Sequence, residues 1–254
     1  MTTVLDIYEY INSIAPYATQ LDYDNSGILV GDINGTVRQA MLALDVTGDV
    51  ITQAMRNRCE LIISHHPIMF QPIKRIPANS LEYRLANAGI ALISAHTNLD
   101  AAPGGVNDCL AMRLDLTVFT KVEGVDYGIM AWLPRPMTPR ELAVMVREKL
   151  GCAAVGYVEG SGEPVERVAI IGGAGGEYIW QMYDMGAQAV ITGEAKHHDH
   201  LEAAERKVTL VVAGHFPTEN VVITPLRAQL ADQFPEVNFL LANQSSPLKI
   251  VVSD

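Results

Sequence analysis

Three cysteines in 254 residues, Cys59, Cys109 and Cys152, are an odd number with no CxxC spacing among them. They build neither a disulfide framework nor a cysteine zinc site, and they point to a reducing compartment. Basic residues are also scarce: 18 Lys and Arg stand against 29 Asp and Glu, for a formal charge of −11. With no run of Lys or Arg to meet a phosphate backbone or an anionic lipid surface, neither nucleic acid nor membrane is an expected partner. No stretch approaches the roughly 18 apolar residues of a transmembrane helix. The N-terminus, MTTVLDIYEYINSI, lacks the basic and apolar regions of a signal peptide, so a cytoplasmic location is expected. There is no GxSxG elbow, and none of the cysteines falls at an expected strand end beside a histidine, which leaves covalent catalysis without a candidate.

What is present is apolar material in a regular order. The N-terminal segment reads as a helix, with Thr3 as N-cap, Asp6 at its positive end, and Val4, Ile7, Tyr8, Ile11 and Ile14 on one face. QAMLALDV (39–46), ELIISHH and IALISAH read as buried strands, separated by the helical segments GDVITQAMRNR and SLEYRLANAG. Apolar strands alternating with amphipathic helices are the pattern of a mostly parallel α/β sheet. Asn34-Gly35, between two strand-like runs, predicts a hairpin that adds an antiparallel strand.

The second half repeats the plan. ERVAIIGG, AQAVITGEAKHHD and TLVVAGHFPTE are expected strands, with EYIWQMYDMG and HLEAAERK as the helices between them. LALDV matches VAIIGG, LIISHH matches AVITGEAKHH, and ALISAHTNLD matches LVVAGHFPTE, in pattern rather than identity. The expected fold is therefore two similar α/β lobes with mostly parallel sheets, residues 1–125 and 126–254, with the chain ends free to cross between lobes. TPRELAVMVREKLG (138–151) is an additional helix, its approach punctuated by Pro134, Pro136 and Pro139.

All seven histidines fall just after expected strands: His65 and His66; His96, with Asp100; His197, His198 and His200, with Glu194; and His215, with Glu219. Ligands bind outside the carboxyl ends of strands in open α/β sheets, so a metal cleft is expected there, between the lobes. Imidazole and carboxylate together suit Zn, Fe or Mn, and more than four candidates suggest two ions. Each piece alone has a plainer explanation. A single strand-end histidine needs no metal, KHHDH can be a solvated helix start, and in GHFPTE Thr218 can serve as an N-cap with Glu219 beside the helix dipole. GGAGG (172–176) can offer backbone donors to a phosphate or allow close strand-to-helix packing.

In order along the chain, DYDNSGILVGD (22–32), ISHHP (63–67), HTNLD (96–100), TGEAKHHD (192–199) and GHFPTE (214–219) resemble the Nif-three-like proteins, the GTP cyclohydrolase 1 type 2 homologues, in their short form without an insertion domain. Tyr23 stands where that family often has Trp. The resemblance implies two divalent transition-metal ions per chain, held by His65, His66, Asp100, His215 and Glu219, with one carboxylate bridging. The two adjacent histidines would each serve a different ion, about 3.5–4 Å apart as in other two-metal sites.

His96 and His198 are the expected catalytic residues: His96 as a substrate contact, with a partner of the ligands or a ligand itself as the other readings, and His198 as a proton shuttle. The expected activity is metal-dependent hydrolysis of a nucleotide-like or phosphorylated small molecule. The alternative is a metal carrier, store or regulatory binder without dedicated catalysis. The resemblance also implies a homohexamer, and a mean hydropathy of +0.15 agrees with apolar surface buried between subunits.

Overall fold

The computed structural model describes residues 1–116, 119–122 and 128–251. The chain starts with α1 (Val4–Ile14), whose N-terminus is closed by a capping box between Thr3 and Asp6. Strands β1 (Gly27–Val30) and β2 (Gln39–Ala43) come next. They are followed by α2 (Gly48–Arg56), β3 (Leu61–Ser64), α3 (Leu81–Ala88), β4 (Ala91–Ser94) and α4 (Thr97–Ala101). After α5 (Val106–Arg113) come β5 (Phe119–Lys121), β6 (Ile129–Met137), α6 (Pro139–Leu150), β7 (Gly156–Val158) and β8 (Val165–Ile171). Then follow α7 (Ile179–Asp184), β9 (Ala189–Thr192), α8 (His197–Glu205), β10 (Thr209–Val212), α9 (His215–Glu219), α10 (Ile223–Gln233) and β11 (Asn238–Leu241).

These elements form two compact units, one of Met1–Pro103 with Val222–Gln244, the other of Gly104–Val221 with Ser245–Asp254. The lobe boundary expected at 125/126 lies among residues 123–127, outside the described residues. Among the described residues no helix is long and apolar enough to cross a membrane.

In the first unit a five-stranded sheet runs β1-β4-β3-β2-β11. The four strands from β4 to β11 are parallel, and β1 lies antiparallel on the β4 edge. The central strands are buried at every position, as parallel strands covered on both faces are: β3 reads LIIS and β4 ALIS, apolar up to a closing serine. Met41, Ile62 and Leu92 from three strands pack with Val50 and Ile51 of α2 and Leu85 of α3.

The hairpin expected at Asn34-Gly35 does not pair β1 with β2, because β1 sits at the far edge of the sheet. The turn instead meets the chain start: Val4 N donates to Gly35 O at 3.0 Å, and Leu5 N donates to Ile33 O at 2.9 Å. The helix N-terminus thus uses the turn's carbonyls.

The second unit holds a six-stranded sheet, β5-β6-β8-β9-β10-β7. Alternate residues of β8 serve opposite faces. Val168 and Ile170 join Leu110 of α5 and Leu142 and Val146 of α6, whereas Ala169 and Ile171 join Ile179 and Met182 of α7 and Ala203 of α8. Only β8, β9 and β10 are parallel here. The strands β5, β6 and β7 add antiparallel pairs, so this sheet is more mixed than the sequence pattern suggests. Pro134 and Pro136, read as loop punctuation, lie inside β6, where the register with β8 shifts between Trp132 and Met137. Pairing with β5 ends at Ala131, so these prolines occupy an irregular stretch beyond β5 that can spare a donor.

The repeat expected from the sequence is present. α1-β1-β2-α2-β3-α3-β4-α4 corresponds to α6-β7-β8-α7-β9-α8-β10-α9, and the order β1-β4-β3-β2 corresponds to β7-β10-β9-β8. After each copy the chain leaves its unit: α5 and β6 belong to the second, α10 and β11 to the first.

Candidate metal centre

In the first unit β3 ends at Ser64, and its hydroxyl donates to His66 O at 2.8 Å, fixing the turn ahead of Pro67. The strict alternation of strand side chains stops there, and both imidazoles come to one place: their ring centroids are 4.9 Å apart and tilted by 48°. His96, which precedes the first turn of α4, completes a triangle, 5.1 Å from His65 and 5.3 Å from His66. Ring nitrogens of the three lie within 4.8 Å of one another.

Each ring is oriented through Nδ1. That of His65 donates to Ala95 O at 2.9 Å, a carbonyl that can only accept. That of His66 lies 2.7 Å from Asp45 Oδ1, and that of His96 2.9 Å from Asp24 Oδ1. With the proton on Nδ1, the lone pair of each ring is on Nε2, the tautomer that ligation through Nε2 requires. His65 Nε2 then faces Asp100 Oδ1 across 3.6 Å, two acceptors that repel unless a proton or metal cation lies between them. Asp100 reaches this point because its N–H donates to His96 O at 3.0 Å, one helical turn earlier.

Asp24 is the hub of this cluster. Its carboxylate is fully buried and accepts from Ser26 Oγ, from His96 Nδ1, and from both the N–H and the hydroxyl of Thr97. Burial alone would raise its pKa, but the bonds from His96 and Thr97 outweigh it and hold the carboxyl well below its ordinary 3.8.

The second unit carries its own imidazole–carboxylate pair on α9. Gly214, with φ +93, turns the chain out of β10 so that His215 opens the helix, and the i,i+4 spacing brings Glu219 beside it. His215 Nε2 is 2.9 Å from Glu219 Oε2, and its Nδ1 is 3.4 Å from Glu194 Oε2. The hydrogen bond that His215 donates to Glu219 raises the His215 pKa, opposed by burial and reinforced by the charges of Glu219 and Glu194. An imidazole between two carboxylates holds a proton or a metal cation, and the two compete. Each unit therefore presents imidazole nitrogen and carboxylate oxygen, the donor set that suits zinc, iron or manganese.

Other expected positions are placed differently. α8 begins at His197, so His197, His198 and His200 lie on the helix rather than ahead of it. His198 is 72% exposed, with Nε2 3.4 Å from Asp199 Oδ1, and within this unit Glu194 is the residue brought to His215. Thr218, weighed as an N-cap, lies inside α9 and is fully buried. Asp24 and Asp45 were not among the residues singled out from the sequence. Asp45 stands two residues past β2, so the rule applied to the other strand ends reaches it. Asp24 sits in the DNS run ahead of β1, a composition that favours side-chain-to-backbone turns.

A cavity of about 490 Å³ opens in the first unit. Leu29 and Val30 of β1, the loop residues Phe70, Ile73 and Ile76, and Asp24 contribute to its wall, which holds no Lys or Arg. Phe70 lines it and meets His96 edge-on, with ring centroids 5.8 Å apart.

Residues 2–247 match the family model of Duf34/NIF3 (NGG1p interacting factor 3). A protein of Clostridium perfringens named GTP cyclohydrolase 1 type 2 homolog is 30% identical over 251 residues, covering 94% of this chain and 96% of its own. A Clostridium acetobutylicum protein of the same name is 31% identical over 227 residues, covering 85% of each chain. Among solved structures, a Staphylococcus aureus hypothetical protein superposes with a TM-score of 0.92 at 27% identity, covering 98% of this chain and 99% of its own. The motifs, the fold and the match over nearly its whole length show that the chain belongs to the DUF34/NIF3 family.

Proposed function

We propose that this protein is a metal-dependent hydrolase of a small molecule that is nucleotide-like or phosphorylated. In this reading it takes two divalent transition-metal ions. His65, His66 and Asp100 supply ligands from the first unit, His215 and Glu219 from the second. When bound, such ions supply Lewis acidity and lower the pKa of water toward neutrality.

The chain's own residues do the rest. Asp24 holds the Nδ1 proton of His96, which leaves Nε2 as the acceptor for a proton at the substrate. His198, exposed on α8, exchanges protons with solvent. The observation that carries the reading is the cavity whose wall includes Phe70 and Asp24, both of which meet His96; its 490 Å³ is the size of a small-molecule site. A carrier that only held and released ions would need no organic pocket. Because no basic side chain lines it, the cavity suits the ring or apolar part of a substrate rather than a phosphate. Hydrolysis of such a molecule agrees with the name borne by the relatives.

The carrier reading keeps one supporting observation: Glu194 is 60% exposed and His215 33%, so this pair can be reached directly from solvent. Turnover by freshly purified, chelator-free protein against a panel of nucleotides and phosphoesters separates the two. Saturable, chelator-sensitive hydrolysis is expected. Fast metal transfer to apo-acceptors with no turnover would establish the carrier.

A further inference from the structure

The run GGAGG was read from the sequence either as a phosphate cradle or as close packing, and the structure gives it a more particular place. Gly173 has φ +61, and a Cβ built on it would lie 1.9 Å from Glu219 Oε1, 2.9 Å from its carboxyl carbon and 3.3 Å from His215 Nε2. No side chain fits there without moving the carboxylate. The loop is itself held in place. Gly172 N donates to Asn107 Oδ1 at 2.8 Å, and Gly173 N donates to Thr218 Oγ1 at 3.0 Å. Gly173 O accepts from Glu194 N at 2.8 Å and from Thr192 Oγ1 at 3.3 Å. Gly193 closes the back of this arrangement, since a Cβ there would meet Gly173 O and Thr218 Oγ1, each at 2.6 Å.

We infer that Gly173 is a positioning residue for Glu219: the glycine loop, clamped by Thr192 and Thr218, is a backbone template against which the carboxylate is set beside His215. The left-handed backbone alone would be satisfied by any glycine. What sets Gly173 apart is that its missing side chain leaves the space the carboxylate occupies. Thr218 takes part from both ends, since it lies one residue before Glu219 on α9 and also accepts the Gly173 N–H. The inference rests on the reading of Glu219 as a metal ligand, but the placement of the carboxylate is tested separately from metal binding.

The test uses the full chain and zinc as probe. Gly173→Ala is expected to weaken zinc binding about 10- to 100-fold at the Glu219 position, the usual penalty for disturbing the groups that orient a ligand. Metal-free crystals of the variant should show the Glu219 carboxylate displaced. Gly162→Ala is the control: that glycine also has positive φ, at +77, but nothing lies within 4 Å of a Cβ built there. It carries the same backbone cost and should keep wild-type zinc affinity.

Should Gly173→Ala fail to fold, Thr218→Val removes the hydroxyl that holds the loop and should weaken zinc in the same direction, while Thr218→Ser restores it. Wild-type zinc affinity in Gly173→Ala with an unmoved carboxylate would overturn the inference, as would equal losses in Thr218→Val and Thr218→Ser. If Glu219→Gln itself leaves zinc binding untouched, it is the ligand reading that fails, and the crystallographic displacement still decides the role of Gly173.

Discussion

The Nδ1 of His96 lies 2.9 Å from Oδ1 of Asp24, and the same carboxylate takes the N–H and hydroxyl of Thr97. One buried group thus fixes both the tautomer of the histidine and the first turn of α4, which carries Asp100. Asp24→Asn keeps the shape but replaces one acceptor oxygen by a donor, leaving a buried donor of His96 or Thr97 facing another donor. The expected loss is about 1–3 kcal/mol at pH 7.

The pH dependence has a definite sign. Because the folded pKa is held below the ordinary 3.8, the stabilisation is present above that value and lost as pH falls below it. Urea unfolding at pH 7 and near pH 2, well below the ordinary 3.8, should therefore show a gap between wild type and Asp24→Asn that narrows in acid. A gap of constant size would reject the account.

His65 and His66 are adjacent but anchored to different partners, Ala95 O and Asp45 Oδ1. His65→Ala and His66→Ala should each remove chiefly one of two ions by elemental analysis, with circular dichroism unchanged. Asp45→Ala should weaken only the ion served by His66, by about 10- to 100-fold. Two ions retained in both histidine variants would exclude the assignment.

How much of this could be read from the sequence depends on the range of the interaction. The parallel strands of the first unit were legible because strands covered on both faces carry unbroken apolar runs, as in the LII of β3 and the ALI of β4. Local helix signals were equally plain: Thr138 with Glu141 forms the capping box of α6, and Gly151 ends that helix at φ +68. The partner of β1 was not legible, since Asn34-Gly35 specifies a turn but not which strand lies beside it, and a contact with the chain start decided the outcome. The site histidines could be found by their position after strands. Asp24 could not be given its role that way, because its partners His96 and Thr97 are more than seventy residues distant in sequence.

Cysteine chemistry should be irrelevant to activity. Burial, with the nearby Glu60 and Asp108 charges, pushes the thiols of Cys59 and Cys109 up to about 11, and burial raises Cys152 as well. At neutral pH almost no thiolate exists to act as nucleophile. Cys59→Ala, Cys109→Ala and Cys152→Ala should leave turnover nearly unchanged, and native protein should react slowly with iodoacetamide at pH 7. Rapid alkylation accompanied by loss of activity would contradict this.

The hexamer implied by the family resemblance would account for apolar side chains left exposed on a single chain, among them Met55, Met112, Trp132 and Leu201, each 53% exposed or more. Light scattering at micromolar concentration should return six times the 27.6 kDa chain mass. A monomer at that concentration would refute the assembly.

The cavity of the first unit offers the sharpest separation of catalysis from metal holding. Ala86 lines it from the exposed side of α3, so Ala86→Trp places a large ring in the cavity without entering the core. A surface helix position tolerates such a change at a cost usually within about 0.5 kcal/mol. None of the groups proposed as metal ligands lines the cavity, so metal content should match wild type. If the substrate's ring or apolar part docks there, kcat/KM on any compound the wild type hydrolyses should fall at least tenfold, mostly through KM, since a filled pocket removes ground-state and transition-state binding alike. Unaltered KM with full metal content would show that the cavity takes no part in substrate binding and would remove the main support for the hydrolase reading.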